Sequence, residues 1–381
     1  MLIRTPKLDS PELKILDFIG EQQISIASQL SRTGPWREML ERTERASSVQ
    51  NSLLLDNLRI HDSQANLLAL LGNLDGLETA QDRAFVGAKM GLDFALQLAQ
   101  DSPVFLDQSL IKSLHFMVNS ADQNMDSGRY RNGPVFVKMA HPSKLIHTGA
   151  DWDQVPPLMK EICDFHLDSG DVPKAVSGAM LHLNVALIHP FKDSSSKVAR
   201  LLHTLLLASD SLGIWQGLTE QFGASNRDYH SAQTQIGGGT WSPTSDARGW
   251  LRFVLQAQMT GLEDFRVRQA SLGAIWSEIS ARVSAFSLPE RVVGPLVHAE
   301  NENILTNRVY RQVVEESKGA SHRGLVSQLT ASRDLAELCL AGFLVATGDK
   351  RARSYSAGPE LLAVTAGLAG RFKHQALPRF F

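Results

Sequence analysis

The stretch IHPFKDSSSKVAR, Ile188–Arg200, decides the fold of this chain. Apolar residues recur at helical spacing before and after it, which predicts two helices that meet at a short polar loop. Pro190 ends the first helix, because a residue that precedes proline is disfavoured in the α region. Asp193 and the serines that follow it are residue types that cap the start of a helix. The second helix is therefore expected to begin within the serine run.

The loop combines the groups of an anion-binding site. The first turn of the second helix offers unpaired backbone N–H groups at the positive end of the helix dipole. Lys197 and Arg200 are spaced to lie near one face of that helix. His189 stands at the lip of the loop, and Asp193 supplies a carboxylate. Such groups can hold a polyphosphate with a divalent ion and deprotonate an attacking hydroxyl.

The loop resembles the signature of the Fic/Doc family, His-Pro-Phe-x-Asp/Glu-Gly-Asn-Gly-Arg-x-x-Arg. The positions that match this signature are His189, Pro190, Phe191, Asp193 and Arg200. The positions that depart from it are Ser194, Ser195, Ser196 and Lys197, which stand where the family has Gly, Asn, Gly and Arg. The resemblance is therefore strong around the histidine and partial in the phosphate cradle.

The resemblance implies a reaction and a role for each residue. Family members transfer AMP from ATP to a hydroxyl side chain of a target protein, with Mg²⁺ bridging phosphate oxygens. By this resemblance His189 deprotonates the hydroxyl, and Asp193 holds the ion. The implied nucleotide-binding residues are Ser194, Ser195, Ser196, Lys197 and Arg200, with Tyr229 as a wall of the adenine pocket.

The substitutions in the cradle leave the function open. Serine in place of glycine adds bulk where a backbone must approach a phosphate, although its hydroxyl can still donate. Lys197 replaces a bidentate guanidinium with a point charge. One hypothesis is a protein AMP transferase, with reduced activity or an altered phosphate-containing donor. The alternatives are an inactive Fic-fold protein that binds nucleotide or a partner, and a DNA-binding regulator.

Composition is consistent with a globular protein of more than one domain. At 381 residues with 43% apolar content, the chain can bury a large core and a smaller one. A formal charge of −2 gives no global bias toward nucleic acid or membrane. Cys163 and Cys339 are too few and too far apart for a disulfide framework. With no signal-peptide core and no membrane-spanning run, we expect a cytoplasmic protein without a membrane partner.

The predicted fold is mainly α-helical, with a Fic-type bundle, a small hairpin and a winged-helix-like tail. Helical patterns cover residues 11–31, 78–100, 104–119 and 261–285, and three regions are expected: an N-terminal helical region at 1–103, a Fic core at 104–285 and a C-terminal domain at 286–381. Between the helices, GRYRNGPVFV at residues 128–137 predicts a β-hairpin. The resemblance implies that it is a flap, on which Val135, Phe136 and Val137 register a target protein by strand addition.

The stretch RASSVQNSLLLDN, Arg45–Asn57, has two interpretations. Its spacing fits the polar surface of a helix. Many Fic proteins, however, carry an inhibitory helix with the pattern Ser-x-x-x-Glu-Gly/Asn, whose glutamate pairs with the last motif arginine. Aligned on Asn51, this chain has Gln50 in place of that glutamate. A neutral amide makes a weaker bond to Arg200 than a carboxylate does, so a weak regulatory latch at Gln50 is expected.

The tail has two interpretations as well. Helices are predicted at 304–316, 322–329 and 331–341, and GFLVATGDKRARSYSAG then resembles the β-wing of a winged helix-turn-helix. On that wing, Lys350, Arg351 and Arg353 are candidate contacts to DNA phosphates. The alternative is a docking or dimerisation module with a solvated basic turn, which includes a homodimer.

Overall fold

The structure, a computed structural model, describes residues 1–31, 34–60, 79–101, 104–120, 126–138, 145–168, 172–300, 304–317, 326–349, 353–368 and 370–381. Its helices are α1 (Ser10–Leu30), α2 (Trp36–Leu55), α3 (Ala80–Leu98), α4 (Gln108–Val118), α5 (Val155–Asp168), α6 (Lys174–Ile188), α7 (Ser195–Ala208), α8 (Leu218–Ala224), α9 (Asn226–Gly237), α10 (Arg248–Ala285), α11 (Val293–Glu300), α12 (Asn307–Ser317), α13 (Gln328–Leu340) and α14 (Pro359–Leu368). A short 3₁₀ helix, Glu290–Val292, precedes α11. The strands are β1 (Phe136–Lys138), β2 (Leu145–Thr148), β3 (Leu344–Thr347) and β4 (Ser354–Ala357). The predicted mainly α-helical fold is confirmed.

Helix α6 is the centre of the larger part of the molecule. Every residue from Ala175 to Ile188 is buried, so the helix is enclosed on all sides rather than amphipathic. Helix α7 packs along it, and the other helices from α1 to α10 surround this pair. The core that results takes side chains from Leu2 to Phe265. It therefore unites the predicted N-terminal region with the predicted Fic core.

The two β-hairpins are small and lie in different parts of the chain. Strand β1 pairs antiparallel with β2, with Phe136 opposite Thr148. The edge of β2 that faces away from β1 is hydrogen-bonded at Thr148, whose N–H donates to the Gly239 carbonyl at 2.9 Å. Strand β3 pairs antiparallel with β4. The hairpin predicted near residue 137 is therefore present, and β1 forms its outer edge beside the motif loop.

Helix α10 joins the two parts of the molecule. It is continuous for 38 residues and therefore begins earlier than the predicted start at residue 261. Gly261 lies inside it because the helix meets the backbone at Gly217, where an added Cβ would lie 2.5 Å from a carbonyl carbon. The C-terminal end of α10 enters a second core that runs from Ile279 to Val364.

The second core holds α11 to α14 and the β3–β4 hairpin. Leu305 and Tyr355 exchange backbone hydrogen bonds of 2.9 and 2.8 Å, which adds a bridge to β4. The predicted break at residue 330 is wrong, because α13 is continuous from a start capped by the Ser327 hydroxyl. Residues 322–325 of the helix predicted at 322–329 lie outside the described residues. The winged-helix resemblance of this region stays a prediction.

The last residues return to the larger part. The Phe380 ring lies 6.1 Å from the Phe18 ring on α1, and His374 Nε2 lies 2.9 Å from the carboxylate of Asp264 on α10. Among the described residues, no helix combines the length and apolar character that a membrane crossing requires.

Candidate active site

His189 ends helix α6 in the left-handed conformation, with φ 53° and ψ 64°. Its Nδ1 lies 3.3 Å from the Ala186 carbonyl, an acceptor, so Nδ1 carries the proton and Nε2 keeps its lone pair. Burial is the main cause that lowers the pKa of this imidazole to about 4. His189 is therefore neutral at pH 7 and lines the cleft described below.

Arg131 fixes this unusual helix end. Its guanidinium donates to the carbonyls of Ile188 and His189, at 3.2 and 2.7 Å, and also to those of Gly133 and Ala150. Carbonyls at a helix end lack partners within the helix, so a buried arginine satisfies them. The sequence marked Arg131 only as part of the flap stretch, whereas the structure makes it the brace that holds His189 in place.

The aromatic ring of Phe191 anchors the loop from below. It is fully buried and stacks on the His115 ring, with centroids 3.8 Å apart. The Gly128 N–H donates to Nδ1 of His115, so Nε2 carries the proton and donates to the Asp193 carbonyl at 3.1 Å. His115 thus supports the backbone of Asp193, whose side chain is exposed and borders the cleft.

The serine run divides into residues with different tasks. Ser194 lies at φ 60°, and its hydroxyl donates to Asn119 Oδ1 at 2.8 Å. Ser195 is fully buried, and its hydroxyl accepts from the Phe191 N–H at 3.0 Å. Ser196 is partly exposed and borders the cleft. The Ser195 hydroxyl therefore closes the loop on itself, whereas among the described residues no hydrogen-bond partner is seen for the Ser196 hydroxyl at the cleft.

We expect glycine at position 194 to give a more stable protein than alanine does. Both substitutions remove the hydroxyl, but alanine at φ 60° keeps the left-handed strain that glycine avoids. The Ser194→Gly protein should be more stable than Ser194→Ala by about 1 kcal/mol in urea unfolding. At an ordinary helical position the order is reversed, so greater stability of the alanine variant would contradict this backbone conformation.

The two motif cations share one carboxylate. Asp56 Oδ2 lies 3.0 Å from Arg200 Nη2 and 3.1 Å from Lys197 Nζ. Burial alone would raise the pKa of the Asp56 carboxyl, but the attraction of Arg200 and Lys197 outweighs it, so the pKa lies below its usual value. Arg200 also donates to the Ser52 hydroxyl at 2.8 Å and to the Ser52 carbonyl at 2.9 Å. Both cations of the cradle are therefore already paired from within the chain, and the three groups together keep one net positive charge.

The end of α2 that carries Asp56 is held from a second side by α9. Asn226 Nδ2 donates to the Leu54 carbonyl at 3.2 Å, and His230 Nε2 lies 3.1 Å from the Leu55 carbonyl. These bonds satisfy carbonyls of the last helical turn. Further along α2, Glu44 makes a bidentate pair with Arg268 of α10, both bonds being 2.7 Å long. Contacts in the middle and at the C-terminal end of α2 therefore keep Asp56 on the cations.

The sequence prediction placed Gln50 at the position of the family's glutamate, and the structure corrects it. The residue that pairs with Arg200 is Asp56, six residues further along the helix. Aligned on Asn57 instead of Asn51, the chain has Ser52, three leucines and then Asp56, which is the family's pattern with aspartate for glutamate. A carboxylate makes a charge-assisted bond, so this pair is stronger than the one predicted for Gln50.

The prediction that Tyr229 walls an adenine pocket is wrong. Its side chain is 0% exposed, and its hydroxyl lies 2.8 Å from His182 Nε2 and 3.5 Å from Arg200 Nη1. The neighbouring residue, His230, lies on the other side of α9 and borders the cleft. Tyr229 therefore supports Arg200 from behind, inside the core.

A large cleft lies above the loop. It has a volume of about 1480 Å³ and is bordered by the loop from His189 to Lys197, by α9 and by Val135, Phe136 and Val137 of the flap. Arg200 borders a separate cavity of about 20 Å³ with Ser52 and Lys197. The histidine, the serine loop and the flap thus meet at one cleft, whereas Arg200 lies beneath the Asp56 latch.

The candidate DNA contacts lie in the second part of the molecule. Lys350 and Arg351 fall outside the described residues. Arg353 is exposed, and its guanidinium lies 3.9 Å from the Asp349 carboxylate.

Comparisons with known proteins agree with this geometry. The Fic/DOC family matches residues 105–207, which include the motif loop and the flap. Residues 105–207 therefore form a Fic/DOC family domain. No curated protein sequence matches the chain.

Solved structures of Fic proteins share the fold. A Fic family protein from Desulfovibrio desulfuricans superposes with a TM-score of 0.57 at 16% identity, covering 93% of this chain and 98% of that one. A Fic domain-containing signaling protein from Bacteroides thetaiotaomicron gives a TM-score of 0.51 at 20% identity, with 64% and 93% covered. Fic-1 from C. elegans gives 0.52 at 17% identity, with 68% and 73% covered. The helical architecture is therefore that of Fic proteins.

Proposed function

We propose that this protein transfers AMP from ATP to a hydroxyl side chain of a target protein, and that Asp56 restrains this activity. The observation that carries the proposal is the position of His189. A neutral imidazole, with no partner for Nε2 among the residues that the structure describes, lies at the edge of a cleft in the loop that precedes a helix N-terminus. A base beside an anion site is what hydroxyl attack on a phosphate requires.

His189 acts as the general base. Its Nε2 takes the proton of the target hydroxyl as that oxygen bonds to the α-phosphorus of ATP, the bond from the α-phosphorus to the α,β-bridging oxygen breaks, and pyrophosphate leaves. The bond from Nδ1 to the Ala186 carbonyl fixes the tautomer and helps to spread the new charge. Arg131 keeps the ring at the cleft by holding the two last carbonyls of α6. The base is therefore oriented before any substrate arrives.

The start of α7 supplies the anion site. The first intrahelical bond there runs from the Val198 N–H to the Ser194 carbonyl at 3.0 Å, so the amides before Val198 are free of helical partners. They point along the positive end of the helix dipole, and Lys197 and Ser196 lie beside them. These donors suit the phosphates of ATP, and Arg200 joins them when Asp56 leaves.

Asp193 suits a magnesium site that is completed by phosphate oxygens and waters, rather than one made of protein ligands alone. Among the described residues no group of three or more His, Cys, Asp or Glu side chains is placed to hold a metal. Mg²⁺ usually takes one or two carboxylates together with phosphate oxygens and waters, and Asp193 supplies such a carboxylate at the cleft. The ion, when bound, neutralises charge on the phosphates.

The flap places the target protein. Because β2 is occupied on its outer side at Thr148, strand β1 is the edge to which an extended segment can add. Phe136 is 54% exposed on that strand and offers a side chain for the target to contact. Addition of a strand there brings a hydroxyl of the target toward His189.

Donors labelled at different atoms test the proposal. The protein is incubated with a lysate and with ATP labelled at the α or the γ phosphate, with Mg²⁺, in the wild type and in Asp56→Asn. Label transfer from the α position alone, together with a peptide mass increase of one AMP group, is the expected result. Transfer from the γ position would show phosphate transfer and contradict the proposal.

A second candidate is a nucleotide-binding protein without turnover. It is favoured by the ion pairs that already occupy Lys197 and Arg200 with Asp56 and by the serine-substituted cradle. Calorimetric binding of ATP to both proteins, with no modified peptide in either, would support this candidate.

The pH dependence of the transfer should reflect the lowered pKa of His189. The neutral form is the base, and a pKa of about 4 keeps it neutral well below the usual histidine range. We therefore expect kcat/KM to stay nearly constant from pH 8 to about pH 5.5 and to fall only as the pH approaches 4. Circular dichroism checks that the protein stays folded over this range. A half-maximal rate near pH 6.5 would contradict this assignment.

A further inference from the structure

Helix α13 presents an unusual surface to solvent. Leu340 is 90% exposed and Leu329 is 63% exposed, one near each end of the helix. Ser332, Arg333, Ala336 and Glu337 are also exposed and lie between them along the same helix. We call this set, from Leu329 to Leu340, the α13 face.

The α13 face is poorly suited to nucleic acid. A protein that binds DNA needs several cations to neutralise phosphates. Here Arg333 is balanced by Glu337 one turn away, and two leucines flank them. The face that would have to enter a groove in a winged helix thus has no net charge and apolar ends, which is typical of a protein contact.

The face is complementary to a copy of itself. Two α13 helices can pack antiparallel about a twofold axis at the level of Leu335. Arg333 of each copy then lies opposite Glu337 of the other, which gives two equivalent pairs. The same axis brings Leu340 within one residue of Leu329. Ala336 is small and lies near the axis, where it lets the two helices approach closely, while the Ser332 hydroxyl beside it accepts from Asn307 Nδ2 at 2.9 Å. Such a match of charge, apolar ends and a small centre is what an isologous interface requires.

The helix is rigid enough to serve as an interface. Its inner side is fixed by Asp334, which is 3% exposed and accepts two bonds from Arg291, of 2.8 and 2.7 Å. The Tyr310 hydroxyl donates to the same carboxylate at 2.6 Å. Changes on the exposed side therefore leave these inner contacts in place.

We propose that the protein forms a homodimer through antiparallel packing of the α13 faces, with reciprocal Arg333–Glu337 pairs and Leu329–Leu340 contacts. The proposal is independent of the transferase reaction. It gives the second part of the molecule a role in assembly, and the two Fic/DOC domains lie in one particle.

Charge exchange tests this interface in the full-length protein. Sedimentation equilibrium should show a dimer of the wild type at micromolar concentration. Arg333→Glu or Glu337→Arg alone places like charges opposite each other twice and should raise the dimer Kd about tenfold or more. The double variant Arg333→Glu/Glu337→Arg should form a dimer again, and so should a mixture of the two single variants. Lys160→Glu, an equal change of charge on α5, should leave the Kd unchanged.

The outcomes separate this interface from its alternatives. A wild type that stays monomeric at about 100 μM, where a dimer of micromolar Kd would be nearly complete, overturns the proposal. So does a dimer that Arg333→Glu does not weaken. A monomer that binds duplex DNA in a salt-sensitive manner, and loses this binding on Arg333→Glu, would show that the face serves nucleic acid instead. Leu340→Asp tests the apolar contact between Leu340 and Leu329 of the two copies, and it should also dissociate the dimer.

Discussion

Replacement of His189 should lower the rate of label transfer from α-labelled ATP by about 10²–10⁴-fold, the usual contribution of a positioned general base. The loss follows from the geometry, because His189 Nε2 carries a free lone pair at the cleft while Nδ1 is engaged by the Ala186 carbonyl. The binding of ATP should change little, since the proposed phosphate donors lie on the following helix.

The choice of substitution matters because His189 has a left-handed backbone. Alanine at this position adds strain, whereas asparagine tolerates the conformation and cannot act as a base. His189→Asn therefore separates loss of the base from distortion of the loop. If both variants keep near wild-type transfer while staying folded, His189 is not the base. His374→Ala, at an exposed histidine in the tail, is the control and should transfer at the unchanged rate.

The motif loop was accessible to sequence reasoning because its chemistry is local. Pro190 after a helical pattern, and serines before the next one, specify a helix-loop-helix with a helix N-terminus facing outward. The αL conformation of His189 and Ser194 was not predicted. It depends on Arg131 and Asn119, which reach the loop from distant parts of the chain.

The latch shows where sequence reasoning failed. A pair between Arg200 and a residue of Arg45–Asn57 was expected, but Asn51 and Asn57 both offered an alignment, and helical spacing alone does not choose between them. The rotation and depth of α2 are set by tertiary contacts, such as the Glu44–Arg268 pair. The acidic side chain four residues after Ser52 was the available signal for Asp56.

The prediction that Tyr229 forms a wall of the adenine pocket was wrong for a similar reason. Its neighbour His230 faces the cleft, and a change of one residue on a helix turns a side chain by about 100°. Only the packing of α9 against α6 and α10 decides which of the two is inside. Expectations that rest on one helical position are thus more fragile than those that rest on a capped loop.

Replacement of Asp56 by asparagine should raise ATP affinity and transfer rate by about 10- to 100-fold, which corresponds to removal of a competing charge-assisted bond worth roughly 1.5–3 kcal/mol. The carboxylate now bridges Lys197 and Arg200 at 3.1 and 3.0 Å, and a phosphate must displace it before either cation can bind. Asparagine keeps the size of the side chain but removes its charge, so the cations become available without a cavity.

The same substitution should make the protein less stable, and this opposition is the sharpest test of the latch. Arg200 is 3% exposed, and without Asp56 its charge is left buried beside neutral partners. Because Asp56 is itself 22% exposed, we expect a loss of about 1–3 kcal/mol, less than for a fully buried pair. Asp93→Asn is a matched control, since Asp93 also bridges two cations, Arg45 and Lys89, on α2 and α3. That variant and Gln50→Ala should leave ATP affinity unchanged in calorimetry. If Asp56→Asn loses stability but gains neither affinity nor rate, Asp56 is a structural ion pair, and nucleotide access to this cleft is limited by something other than its charge.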